Sequence, residues 1–352
     1  MNRMHTLAVE RAGLPRVTLA QRVIDAMVHG ALTYQTETGE SLIGLPVQVT
    51  GRHEPDLFVL DTIAPDASAV RRSTYFEQGD DLQGDILNWI NDNWNDARKR
   101  PDAALEVRFN VTVEHLGDWH KHPGTLTEPS WGDTDTAVNY IFDEQSGKPY
   151  ILAILATVWD RGQAHASDDA EAMFAGEAPL KIDIDERTTV RLDCWYISRR
   201  TRRFVHLTPT VQANEALPTL PIVGWHLSTP DRLRQETDAL TKAGYAISVD
   251  EWDTDQTPPR ELCFTLAKRG SDRVVIAVTR ADYPKTRPEL RTVPMKVMAA
   301  IPQGTDLFPP LWAAAQPLAP DAYPSWAWTA DHTLCELVEA VQETGDSEKV
   351  TH

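Results

Sequence analysis

Apolar residues recur at helical spacing over residues 17–32, where Leu19, Val23, Ile24, Met27, Val28, Ala31 and Leu32 share one face. Residues 46–50 and 57–64 read as two strands of an antiparallel sheet. A second helix is predicted over 79–99, with Leu82, Ile86, Leu87, Trp89, Ile90 and Trp94 as its apolar members. Residues 105–116 alternate as a strand, and 116–119 read as its buried end. A helix over 130–142 and an apolar strand over 149–159 follow. Residues 160–181, rich in Ala, Asp and Gly, read as a flexible insertion. Residues 188–198 and 203–208 form a hairpin around the basic turn at 199–203. Strands and helices packed around one sheet make this part an α/β arrangement.

Residues 209–223 carry three prolines and little charge, the composition of a linker. The pattern therefore divides the chain into a first domain at 1–208, a linker at 209–224, a second α+β domain at 225–345 and a tail at 346–352. In the second domain Thr229 and Pro230 open a helix that Gly244 ends. Strands are predicted over 245–251, 261–268 and 273–280. A corner with Tyr283, Pro284 and Pro288 comes next, and a helix over 331–343 closes the domain. A length of 352 residues fits two domains.

Composition narrows the function. A hydrophobic content of 41% is enough for ordinary cores, and a net charge of −18 argues against a nucleic-acid partner, which needs a basic surface. No apolar run is long enough for a signal peptide or a membrane span, so a cytoplasmic protein is expected. Cys194, Cys263 and Cys335 are too scattered for a disulfide framework or a cysteine zinc site. Residues 73–97 hold six acids and no Lys or Arg, which makes either a solvated acidic face or a surface that steers a basic partner.

The chemistry concentrates between Trp119 and Asp133, where the residues read H-x-H-x7-S-x2-D. Two imidazoles and one carboxylate are a ligand set for a zinc ion that keeps a position open for water. Alternation puts His120 and His122 on one face of a strand end, and Pro123 stops the strand. Ser130 caps a helix and places Asp133 in its first turn, beside the positive end of the dipole. One strand end and one helix start thereby converge three ligands. Trp119 and Trp131 read as packing residues.

These residues resemble the motif of the JAMM (MPN-plus, JAB) zinc metalloproteases, many of which cut isopeptide bonds to ubiquitin-like proteins. The family motif also carries an upstream glutamate, then a glycine-rich turn and an apolar strand, and residues 36–44 match it. On that alignment Glu37 is the catalytic acid/base, and Glu40 stands where a second glycine is common. The resemblance covers roughly residues 10–205. It implies a JAB/MPN-like sheet flanked by helices. It also implies Zn2+ held by His120, His122 and Asp133, with Ser130 as an oxyanion donor. The implied activity is release of a ubiquitin-like protein from conjugates, or trimming of its C-terminus, in a bacterial setting with E1- and E2-like enzymes as neighbours. Two other readings stay open: a zinc amidase or peptidase acting on a small amide or a carrier-protein precursor, and a non-catalytic scaffold that binds a ubiquitin-like protein.

The element order of 225–345, with its Tyr-Pro-x-x-x-Pro corner, resembles the ubiquitin-conjugating (E2) and RWD fold. A true E2 carries a nucleophilic cysteine after that corner, and residues 292–320 have none. The resemblance therefore implies a non-catalytic docking domain.

Overall fold

The computed structural model describes residues 13–73, 75–79, 82–101, 105–124, 126–160 and 179–349, with side chains placed as far as residue 342. The insertion expected over 160–181 lies almost wholly outside the described residues. The chain divides into two compact units, residues 1–220 and 221–352.

The first unit is built on one mixed sheet of nine strands among the described residues. Chain order begins with β1 (Val17–Ala20), α1 (Gln21–Thr33), β2 (Gly39–Val47) and β3 (Asp56–Ile63). A small hairpin follows, β4 (Val70–Arg72) with β5 (Tyr75–Glu77), and then α2 (Leu82–Arg98). Next come β6 (Glu114–Lys121), α3 (Trp131–Phe142), β7 (Tyr150–Asp160), β8 (Leu180–Asp183), β9 (Thr188–Ser198), β10 (Val205–Leu207) and β11 (Thr210–Gln212). The sheet order is β10-β9-β7-β6-β2-β3-β1-β11, with β8 on β9. Three pairings, β1 with β3, β1 with β11 and β6 with β7, are parallel.

Several sequence expectations change here. The helix expected over 17–32 begins only at Gln21. The four residues before it are all buried and form a strand, because β1 is hydrogen-bonded on both sides and burial outweighs the helical spacing. The strand expected over 46–50 is the end of a longer β2 that starts at Gly39 and stops at Val47, while the strand expected over 57–64 is found as β3, antiparallel to β2. The glycines of β2 are inside the strand because neighbouring backbone crowds them. A Cβ on Gly39 would stand 2.1 Å from the Trp119 carbonyl oxygen. The strand expected over 105–116 begins only at Glu114. Residues Val107–Phe109 are a short 3-10 turn, in which Val107 is exposed and Phe109 alone reaches the core, edge-on to Phe58. Part of the segment expected as a linker, 209–220, belongs to the first unit. β11 pairs with β1, and Leu217 and Leu220 are buried.

The strand β6 contains the irregularity that shapes the site. It pairs Leu42 with Gly117 but Ile43 with His115, so Leu116 is an extra residue in the ladder. Gly117 takes φ +146 at this bulge, and a Cβ there would lie 1.8 Å from the Leu152 carbonyl oxygen. The bulge lets His115 and Asp118, three apart, point to the same side of the sheet.

The second unit is an antiparallel meander, β12 (Tyr245–Trp252), β13 (Glu261–Lys268), β14 (Arg273–Thr279), β15 (Glu289–Pro294) and the short β16 (Gln316–Pro317). β15 was not expected and lies where the proline corner was read to extend. Alternation sorts the faces: Leu262, Phe264 and Leu266 of β13 pack in one core, and Cys263 in the other. The first core meets α4 (Trp225–Ser228), α5 (Pro230–Lys242) and α8 (Leu334–Lys349). The second meets α6 (Met295–Ala299) and α7 (Phe308–Ala314). Glu236 of α5 is fully buried, yet fully partnered. It accepts from Arg232 at 2.7 Å, from the Leu334 N–H at 2.8 Å and from the Tyr283 hydroxyl. That network ties α5, α8 and the corner together. No helix among the described residues is long and apolar enough to cross a membrane.

Candidate metal centre

The β2–β6–β7 register sets the site floor. His120 stands opposite Gly39 on one side and Leu155 on the other. Trp119 points to the other face of β6 and is fully buried, as its reading as a packing residue expected. His122 follows the last strand residue, but its N–H still donates to the Ala156 carbonyl at 2.9 Å, which continues the ladder and holds it on the His120 face. Its Nδ1 faces the Leu126 carbonyl at 3.1 Å. With Nδ1–H as the donor, Nε2 keeps its lone pair for a metal. The Trp195 indole N–H donates to the Thr127 carbonyl at 2.9 Å and ties down the loop between His122 and α3.

Ser130 caps α3 as the sequence predicted. Its Oγ accepts from the Asp133 N–H at 3.1 Å, and the Asp133 carboxylate accepts from the Ser130 N–H at 2.6 Å. This reciprocal capping box fixes the Asp133 side chain in the first turn.

The three expected ligands meet. His120 Nε2 and His122 Nε2 are 2.8 Å apart, and the Asp133 carboxylate oxygens lie 3.6 Å from His120 and 3.4 Å from His122. The three could hold a metal ion. A tetrahedral zinc with bonds of about 2.0–2.1 Å needs donors about 3.3 Å apart, so the observed separations bracket the requirement. The electrostatics suit a cation. Burial and the neighbouring His122 push His120 down to about 4, so this imidazole is neutral, the form that ligates. Burial alone would raise Asp133, but His122, His120 and the Ser130 hydrogen bonds outweigh it and hold the carboxyl well below the usual carboxylate range.

Glu37 lies just before β2, its N–H bonded to the Arg72 carbonyl of the hairpin at 3.0 Å. Its side chain lines the same cleft of about 750 Å3 as the three ligands. Burial raises its pKa, His122 lowers it and Asp133 raises it, which places the carboxyl within electrostatic reach of both. Glu40 stands on the opposite face of β2, where it accepts from the Trp119 indole N–H at 3.3 Å.

Other residues of this cleft gave no sequence signal. Ser41, Gln78, Gln83, His115 and Asp118 line it beside the metal triad. Gln78 arrives with the β4–β5 hairpin and His115 through the bulge, and both depend on pairings far apart in sequence. Trp131 corrects an expectation: it is 82% exposed at the start of α3, not packed. Leu126, on the loop above His122, lines the cleft and is 58% exposed. A scan against protein-family models and a search of curated proteins find no match to this chain.

Proposed function

We propose that the first unit is a zinc-dependent hydrolase of carbonyl–nitrogen bonds that releases a ubiquitin-like protein from a conjugate or trims its C-terminus. The observation that carries this reading is the convergence of His120, His122 and Asp133 at one point, with Glu37 in the same cleft. The resemblance of these residues to the JAMM motif supplies the class of substrate. Leu126 lines the cleft and is exposed, and the exposed Trp131 lies in the chain between the lining residues Ser130 and Gly132; this supports a macromolecular substrate, because such apolar residues gain by being covered.

His120, His122 and Asp133 would hold the ion. When bound, zinc supplies the positive charge that brings the pKa of a water from about 15.7 to about 7 and polarises a carbonyl. Glu37 takes the proton of the attacking water and delivers it to the leaving nitrogen. Its raised pKa suits a group that both accepts and returns a proton. The Ser130 hydroxyl donates to the developing oxyanion. The His122–Leu126 hydrogen bond keeps the imidazole in the tautomer that the metal needs.

The test is incubation of the protein with candidate ubiquitin-like conjugates, with and without chelator. Release that stops with chelator is expected. Trp131→Ala is expected to cut conjugate cleavage about tenfold while sparing a short peptide, as loss of a tryptophan contact at a protein interface does. Cleavage of small amides with no action on any conjugate would favour the amidase reading instead.

For the second unit we propose a non-catalytic E2/RWD-like module that recruits a conjugation partner. The buried position of Cys263 raises its thiol pKa, and burial does the same at Cys335, so neither is poised as a thiolate. No thioester is expected: a denaturing gel should show no reducible adduct with a ubiquitin-like protein and its activating enzyme. An adduct lost in Cys263→Ala or Cys335→Ala would overturn the assignment.

A further inference from the structure

The polar end of the cleft has no part in the chemistry above, yet it is a built site. Asp118 lies one rung from His120 on the same face of β6, about 7 Å along the strand. Three donors converge on one of its oxygens. Ser41 Oγ reaches Oδ1 at 3.1 Å, Gln78 Nε2 at 2.7 Å and His115 Nε2 at 3.1 Å. His115 donates this bond as a neutral tautomer as well as when protonated. These three bonds all fall on Oδ1, and the side chain is 39% exposed in the cleft, so Oδ2 is the oxygen left to accept from a ligand. The anchors come from β2, from the residue that directly follows β5 and from β6, three separate segments, which holds the carboxylate in one orientation.

The charge of the cleft selects the ligand. Glu37, Asp118 and Asp133 line it, and among its described lining residues there is no Lys or Arg. A dication in the triad would offset Asp133 and Glu37 and leave Asp118 as the acid facing the substrate. Tyr75 and Phe76 of the hairpin line the same cleft. Their rings already lie under guanidinium groups of this chain, Arg72 over Tyr75 and Arg71 over Phe76, each at 5.9 Å. An aromatic wall beside an oriented carboxylate fits a planar cation.

We propose that Asp118 is a specificity-determining residue that binds a basic side chain, arginine above all, within about two residues of the bond to be cut. The proposal rests on the reading of this cleft as a peptide- or isopeptide-hydrolase site. It defines the substrate class further: a segment with a cationic residue beside the scissile bond.

The experiment reads binding, not turnover. Full-length, zinc-loaded protein carrying Glu37→Gln is titrated with blocked pentaglycine peptides, each with one arginine at a different position. A matching set carries citrulline, the neutral isostere. At one position the arginine peptide is expected to bind about tenfold tighter than its citrulline twin, the usual size of a charged hydrogen bond. In Asp118→Asn, with zinc content and melting temperature unchanged, the difference is expected to vanish. No preference at any position with Asp118 intact overturns the proposal, as does a preference that survives Asp118→Asn. Should Asp118→Asn fail to fold, Gln78→Ala is read instead. Loss of one Oδ1 anchor is expected to reduce the preference about threefold, and an unchanged preference would sink the idea. Failure of the wild-type protein, with Glu37 intact, to hydrolyse any conjugate would count against the proposed activity, whereas the binding comparison decides the role of Asp118 by itself.

Discussion

Replacing His122 by alanine is expected to strip the metal and, with it, all measurable hydrolysis. His122 is 5% exposed, its Nε2 lies 2.8 Å from His120 Nε2 and 3.4 Å from Asp133, and its Nδ1 is fixed by the Leu126 carbonyl. Alanine leaves two ligands, one of them a carboxylate already committed to capping α3, and two ligands hold zinc poorly. Elemental analysis of the purified wild-type protein should find about one zinc per chain, the stoichiometry of a single catalytic site. The variant should have almost none and should lose more than the about 10²–10⁴-fold that a missing general base costs. Thermal unfolding serves as the control, because β6 and β7 keep their ladder without the imidazole. Full zinc occupancy in His122→Ala would remove these residues from consideration as the centre.

Glu37→Gln is the second large effect, and it differs in kind. The amide keeps the shape of the side chain but cannot take a proton, so zinc content should stay at the wild-type level while turnover falls about 10²–10⁴-fold. Glu40→Gln is the internal control. Glu40 faces away from the cleft and only accepts a hydrogen bond from the Trp119 indole at 3.3 Å, a bond that the glutamine carbonyl oxygen also accepts. Turnover should then change by less than about threefold, the scale of a surface substitution. Steady-state rates with zinc-loaded proteins and one conjugate substrate decide it. If Glu40→Gln proved the damaging change, the proton-transfer role would move to Glu40.

Glu37 and Glu40 also illustrate what pattern reading leaves open. They are three residues apart at the start of a strand, so alternation places them on opposite faces. It does not say which face carries the histidines. The pairing of Gly39 with His120 decides that, and it joins residues 81 positions apart. The bulge at Leu116 is a similar case. Two-residue periodicity assigns His115 and Asp118 to opposite sides of β6, and the extra residue brings them together at 3.1 Å. The hairpin that contributes Gln78, Tyr75 and Phe76 was hidden because its strands have three residues each, too short for a period to register.

The sequence by itself determined the features that depend on close neighbours. The two-residue spacing of His120 and His122, the stop near Pro123, and the Ser130 cap with Asp133 in the first turn of its helix all follow from local geometry, and each is found as read. The tertiary structure decided the rest: β1 as a buried strand instead of a first helical turn, residues 209–220 as part of the first unit instead of a linker, and the extended polar end of the cleft. The physical reason is the same in each case. A capping box or an alternating pair is stabilised by atoms within a few residues, whereas a strand's identity and the face it shows depend on partners that only the folded sheet brings alongside.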